Sequence, residues 1–262
     1  MNEKGMTLLE LVVYMFLAAL IMAPIVMLMQ NSSKTMAHDA TTTDMRMTGQ
    51  DVLNIMYNDL KNTGFKLNTC PDSNLMPVAA ARMNPTAGRE SFTPTLGTGA
   101  NIAFDRIQAR VGRLNPDGIW CGVETITYSV NTADTTNRLL IRNATGYTAN
   151  TCNPGNCPPI TPAPGNQTIA QNIVALKFEY SADQVVWRNA PDTVTAGARR
   201  RDMEFVRVTI VLRDNKRLSP TRPALPIKVT NNYTLTPTAN DQRLYERHSI
   251  VIPIPNNGLE PW

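Results

Sequence analysis

Four cysteines, two histidines and a carboxylate set against an apolar run are the residues whose types could do chemistry in this 262-residue chain. The histidines, His38 and His248, lie far apart in sequence, and neither belongs to a Ser/His/Asp or Cys/His pattern. There is no phosphate-binding glycine loop, no His-Glu-x-x-His run and no EF-hand spacing, so hydrolytic, nucleotide and calcium chemistry have no motif to rest on. A zinc site needs a second close pair of Cys or His beside Cys152 and Cys157, and the sequence supplies none, so neither a metal nor a cofactor is expected. Asn115-Pro116-Asp117-Gly118 reads as a turn rather than part of a calcium site. Arg199-Arg200-Arg201 reads as a solvated loop. Lys and Arg outnumber Asp and Glu by 25 to 21, a surplus too small and too scattered to argue for a nucleic-acid partner. These residues point away from an enzyme.

The carboxylate is Glu10. It borders residues 11–29, which carry no charge, and the uncharged stretch runs on to Ser33. Roughly 20 such residues cross a bilayer core as a helix. Ahead of them Met1-Asn2-Glu3-Lys4-Gly5 is short and polar, with one lysine, which keeps this end cytoplasmic and sends the rest across. An ordinary signal peptide or plain anchor requires neither a carboxylate at the border of its apolar run nor a glycine directly before Met6-Thr7-Leu8-Leu9-Glu10.

The run Gly5-Met6-Thr7-Leu8-Leu9-Glu10 resembles the processing site of the type IV pilin family. The resemblance implies that prepilin peptidase, a membrane aspartyl protease, cuts between Gly5 and Met6 and methylates the new amine of Met6. Most relatives carry Phe where this chain has Met6. A glycine at the cut lets the protease approach the backbone closely. The resemblance further implies that Glu10 is the filament-assembly contact, meeting the terminal amine of a neighbouring subunit. It also makes Pro24 a candidate for a segment that unwinds in filaments. On its own chemistry Pro24 removes the backbone bond to Leu20, a cost of about 3 kcal/mol in an ideal helix, and it reads equally as a kink that a membrane helix absorbs.

These residues need a long helix to carry them. Beyond Ser33 the chain turns polar but keeps helical spacing, with Met45, Gly49, Val52, Leu53, Met56 and Leu60 on one face, a core stripe against a head. Lys61 suits the negative helix end and Gly64 a left-handed cap, so the helix should stop near Asn62 to Gly64. From Thr7 to Lys61 it would run roughly 80 Å. Residues 71–118 are rich in Pro, Gly, Asn and Thr and read mostly as loop, with some periodicity from Asn101 to Val111. Four segments then read as strands: Val123 to Val130, Arg138 to Arg142, Ile173 to Tyr180 and Phe205 to Arg213. In the last two, alternation predicts one buried face and one mostly polar face. His248 to Ile252, followed by Pro253-Ile254-Pro255, reads as an edge strand.

The fold class expected is therefore α+β, a long N-terminal helix packed on an antiparallel head. The expected organisation is a leader over 1–5, a transmembrane and filament-core helix over 6–33, an amphipathic continuation over 34–64 and an extracytoplasmic β-rich head over 65–262. All four cysteines follow the apolar run, in the compartment where disulfides persist. The Pro-Gly turn within Cys152-Asn153-Pro154-Gly155-Asn156-Cys157 can bring the two Cα atoms within the roughly 4.4–6.8 Å a bridge requires. That pairing leaves Cys70 with Cys121 by elimination alone.

The run Asp59-Leu60-Lys61-Asn62-Thr63-Gly64-Phe65 is similar to the helix end of PilW-type minor pilins, and the strands around Ile173 and Val206 to those and to J-class pseudopilins of type II secretion. Together with a large, irregular head, this implies a structural minor pilin that initiates or caps a type IV pilus. The alternatives are a minor pseudopilin of a secretion tip complex and a membrane-anchored binding or adhesin module. The implied partners are prepilin peptidase, other pilins or minor pilins through the N-terminal helix, and the inner membrane before assembly. The chain would then be a single-pass inner-membrane protein with a periplasmic head that passes to the pilus at the cell surface.

Overall fold

The computed structural model describes residues 8–61, 63, 92–114, 120–149, 165–189, 204–217, 225–238, 241 and 243–254. The chain divides into two compact units, Met1–Asp44 and Met45–Trp262. The fold is α+β: one long helix and antiparallel sheets.

Helix α1 runs unbroken from Leu8 to Leu60 with Pro24 inside it. Leu, Met and Ala dominate its first half and are strong helix formers. The Thr-rich stretch that follows is kept helical although β-branched residues lose rotamer freedom there. The hydroxyls of Thr35, Thr41, Thr42 and Thr43 donate to the carbonyls four residues back, at 2.8–3.0 Å. In the first unit every side chain from Leu8 to Ala40 is exposed.

In the second unit α1 turns amphipathic. Met45, Gly49, Val52, Leu53, Met56 and Leu60 are all buried, the stripe that the spacing predicts, and Asp59 is buried with them. The helix ends at Leu60 because the chain there leaves for a sheet. The Lys61 amide still bonds the Tyr57 carbonyl at 2.9 Å, but Thr63 already bridges Val111. Asn62 and Gly64, expected at the cap, lie outside the described residues.

Strands β1 (Phe92–Thr95), β2 (Arg106–Leu114), β3 (Trp120–Asn131), β4 (Leu139–Ala149) and β5 (Asn166–Ala170) form an antiparallel sheet in chain order. A second sheet has the order β10-β7-β6, from β6 (Ile173–Ser181), β7 (Phe205–Arg217) and β10 (Arg243–Pro253). Two short strands, β8 (Ile227–Lys228) and β9 (Thr234–Leu235), pair with each other. Residues of α1 and of both larger sheets share one hydrophobic core. β10 is an edge strand, as its trailing proline predicts, but it is twice as long as His248 to Ile252 because its ladder with β7 extends back to Arg243. β1 arises inside the 71–118 stretch that reads mostly as loop, and β5 in a segment not read as a strand, since ladder pairing to β2 and β4 overrides weak local propensity.

The expectation of one polar face on β6 is wrong: all nine of its residues are buried. Its free edge is taken by residues 103–105. The Asp105 amide donates to the Leu176 carbonyl at 2.8 Å and the Leu176 amide to the Ala103 carbonyl at 2.9 Å, which joins the two sheets. The charges on its second face are neutralised in place. Lys177 donates to Asp105 Oδ1 at 2.8 Å, and Arg207 to Glu179 at 3.2 Å. Asp105 also accepts the amides of Phe178 at 3.2 Å and Gly97 at 2.9 Å, so both of its carboxylate oxygens are engaged. The second face of β7 is buried too at Thr209 and Val211, with Thr209 sharing a 3.0 Å hydrogen bond with Ser249 of β10.

Asp105→Ala leaves a buried ammonium and two amides stranded. It should destabilise the head by about 3–5 kcal/mol, read from urea unfolding of the detergent-solubilised chain. A loss below about 1 kcal/mol, the level of an exposed pair, would show that Lys177 finds water instead.

Candidate functional site

Two regions carry the residues that matter: the start of α1 and the buried end of the same helix. Gly5 and Met6 lie outside the described residues. Glu10 stands in the first turn of α1, exposed among Leu8, Leu9, Leu11 and Val12, which are themselves exposed. Pro24 sits within continuous helix. The stretch is long and apolar enough to cross a membrane, and none of it is buried. A single helix can expose this much apolar surface only to lipid or to other apolar helices.

At the other end of α1 the structure assembles a buried polar cluster that spacing did not reveal. Arg142 of β4 donates to Asp59 through Nε at 2.6 Å to Oδ2 and through a terminal nitrogen at 3.3 Å to Oδ1, a two-pronged pair. The Tyr128 hydroxyl of β3 donates to Asp59 Oδ2 at 2.5 Å, and Arg142 reaches Gln167 of β5 at 3.3 Å. The last turn of α1 is thereby tied to three strands. Burial, then the Asp59 carboxylate, pushes the Tyr128 phenol far above its ordinary range, although Arg142 pulls the other way. Burial opposes the charge on Arg142, yet its bond to Asp59 holds it above the usual guanidinium value. Asp59 falls three residues after Met56 on an otherwise apolar stripe, and Arg142 between Leu140 and Ala144 on the inward face of β4. A charge at a core position on each of two elements is the signal that could have found the pair.

Of the predicted disulfide partners, Cys121 lies in β3, while Cys70, Cys152 and Cys157 fall outside the described residues. The turn at 115–118 and the arginines at 199–201 are likewise outside them. Among the described residues no group of three or more His, Cys, Asp or Glu side chains is placed to hold a metal ion.

A family model described as the prokaryotic N-terminal methylation motif matches residues 1–26. The chain thus carries at its N-terminus the motif of type IV pilins and pseudopilins, the motif that prepilin peptidase processes. Proteins of this class are generally structural rather than enzymatic, and an apolar helix behind this motif is the mark of a membrane-anchored, extracytoplasmic pilin. No curated protein matches the chain.

Because Tyr128 is held neutral in the fold and ionises near pH 10 when unfolded, its contribution is complete below about pH 10 and is lost as pH rises beyond it, by about 1.4 kcal/mol per unit. Tyr245, pushed up to about 12 by burial and Asp241, acts with the same sign. Tyr128→Phe should cost about 1.5–3 kcal/mol at neutral pH, the value of a hydrogen bond to a charged group, and should flatten the alkaline fall in stability. Denaturant melts between about pH 8 and pH 11 check both effects. An unchanged alkaline slope would remove Tyr128 from the account.

Proposed function

We propose that this chain is a structural minor subunit that initiates or caps a type IV pilus, entering the filament through α1 after its leader is removed. The observation that carries the reading is the exposure of α1 from Leu8 to Ala40, whose first part, residues 11–29, is an uncharged apolar surface that must be covered first by lipid and then by other subunits. In this reading residues 1–5 are the leader, 6–33 the membrane and filament-core segment, 34–64 its amphipathic continuation, and 65–262 the extracytoplasmic head. Gly5 and Met6 form the cleavage junction, and the amine of Met6 receives the methyl group. The Glu10 carboxylate meets the terminal amine of the next subunit, which sets axial register in an apolar bundle where a mismatched charge is costly. Pro24, lacking an N–H to bond Leu20, is where α1 would unwind most easily inside a filament. Cys152 pairs with Cys157 and Cys70 with Cys121. A head with ten strands in the described residues, several in long irregular sequence, suits an end position better than a shaft subunit repeated many times.

Glu10→Ala should insert and be cut normally yet be missing from sheared filaments, because removing one member of a desolvated pair costs about 3–5 kcal/mol. Wild-type amounts of tagged Glu10→Ala chain in the filament fraction would overturn the pairing. Replacing Gly5 with a bulky residue should leave the uncut precursor in the membrane, and mass spectrometry of the mature chain should find methylated Met6 first. Pulldown with secretion pseudopilins in place of pilus subunits would move the protein to the secretion branch of the class.

A further inference from the structure

Where α1 first meets the head, His248 of β10 lies flat against Gly49. A Cβ at position 49 would fall 2.3 Å from His248 Cδ2 and 2.6 Å from Nε2, so only glycine fits beneath the ring. One helical turn earlier Arg46 Nε bonds Glu246 Oε1 at 2.7 Å, and Glu246 and His248 project from the same face of β10, two residues apart. Both contacts fasten the same stretch of helix, residues 45–49, to the same strand. His248 Nε2 and Glu246 Oε2 are buried without a hydrogen-bond partner among the described residues.

A neutral imidazole tolerates this seat at the cost of one unmade hydrogen bond. An imidazolium does not, because both ring nitrogens then carry protons and the buried Nε2–H has no acceptor. Charged groups reach the ring from two elements: Glu246 on its own strand, which favours the cation but is engaged by Arg46, and Arg46 on α1, which opposes it. On β7 its register partner is the apolar Ile210. Burial first, and then Arg46, outweigh Glu246 and hold the ring below the ordinary histidine value.

We propose that Gly49 and His248, with Arg46 and Glu246, form an acid-released latch between α1 and β10. With neutral His248 the helix turn at 45–49 is seated. On protonation that turn lifts, Nε2 is solvated, and Glu246 exchanges Arg46 for the imidazolium two residues along its own strand. The group binds its proton less well in the latched state, so latching is complete above about pH 6.5 and is lost as pH falls below it.

The test is amide hydrogen exchange of the peptide spanning residues 45–52 in the full chain in detergent micelles, at about pH 8 and about pH 5, corrected for intrinsic rates. Protection in the unmodified chain should be lost in part at the lower pH. His248→Phe keeps a ring over Gly49 that takes no proton and should abolish the fall. His248→Gln serves if the Phe variant does not fold. Gly49→Ala should be poorly protected at both pH values, and His38→Gln should behave as the unmodified chain. An unmodified chain whose protection is the same at both pH values overturns the latch, and so does a His248→Phe chain that loses protection equally, which would assign the effect to Glu246.

Discussion

The buried carboxylate of Asp59 is the constraint around which the head is organised. A charge on the core face of a helix is tolerated only if the surrounding elements bring it a counter-charge and further donors in correct geometry. Arg142 and Tyr128 do so from β4 and β3, with Gln167 of β5 steadying the guanidinium. Meeting that requirement fixes the rotation of α1 about its axis, because only one orientation places Asp59 and the Met45 to Leu60 stripe inward together. It also fixes the height of the helix on the sheet. Apolar contacts alone are non-directional and would permit slippage that this pair forbids.

The same device recurs where the two larger sheets meet. Asp105 takes Lys177 and two amides, while its own amide continues the β6 edge, so one residue closes a strand edge and neutralises a buried ammonium. Glu179 takes Arg207, whose guanidinium stacks 3.8 Å over the Trp187 ring, and accepts the Asn231 amide of the segment that leads into β9. Such pairs add little net stability over apolar replacements. What they supply is uniqueness of register, useful in a head built from Thr- and Asn-rich strands whose apolar alternation is weak.

The N-terminal part of α1 obeys a different rule. Its apolar side chains are exposed to a degree no water-facing helix sustains, and its environment must therefore be lipid or the apolar helices of other subunits. In the first, an edge carboxylate such as Glu10 can sit near the interface. In the second, its proposed partner is the processed terminal amine of a neighbouring subunit. Under the proposed function, subunit entry into a filament is an exchange of one apolar solvent for another, with the Glu10 charge pair selecting the register.

The processing motif, the membrane-length helix, the amphipathic stripe and the main strands were legible in the sequence because each is local. A cleavage site, a helical period of three and four, and a β-branched run are written in consecutive residues. Burial on the second face of β6 was not legible, because it depends on residues distant in sequence, Asp105 and Tyr233 meeting Lys177 and Arg207 and Asn231 meeting Glu179. Asp59, Arg142 and Tyr128 each look like ordinary surface or core choices until the fold sets them within hydrogen-bonding distance. Nor could spacing predict that Gly49 lies under His248, nearly two hundred positions away. The sequence by itself determined the long helix, its apolar stripe and the main strands, since those follow from near-neighbour sterics and solvation. Only the tertiary structure decided which buried charges meet, because pairing depends on distances set by strand order and helix placement, and these are properties of the whole chain.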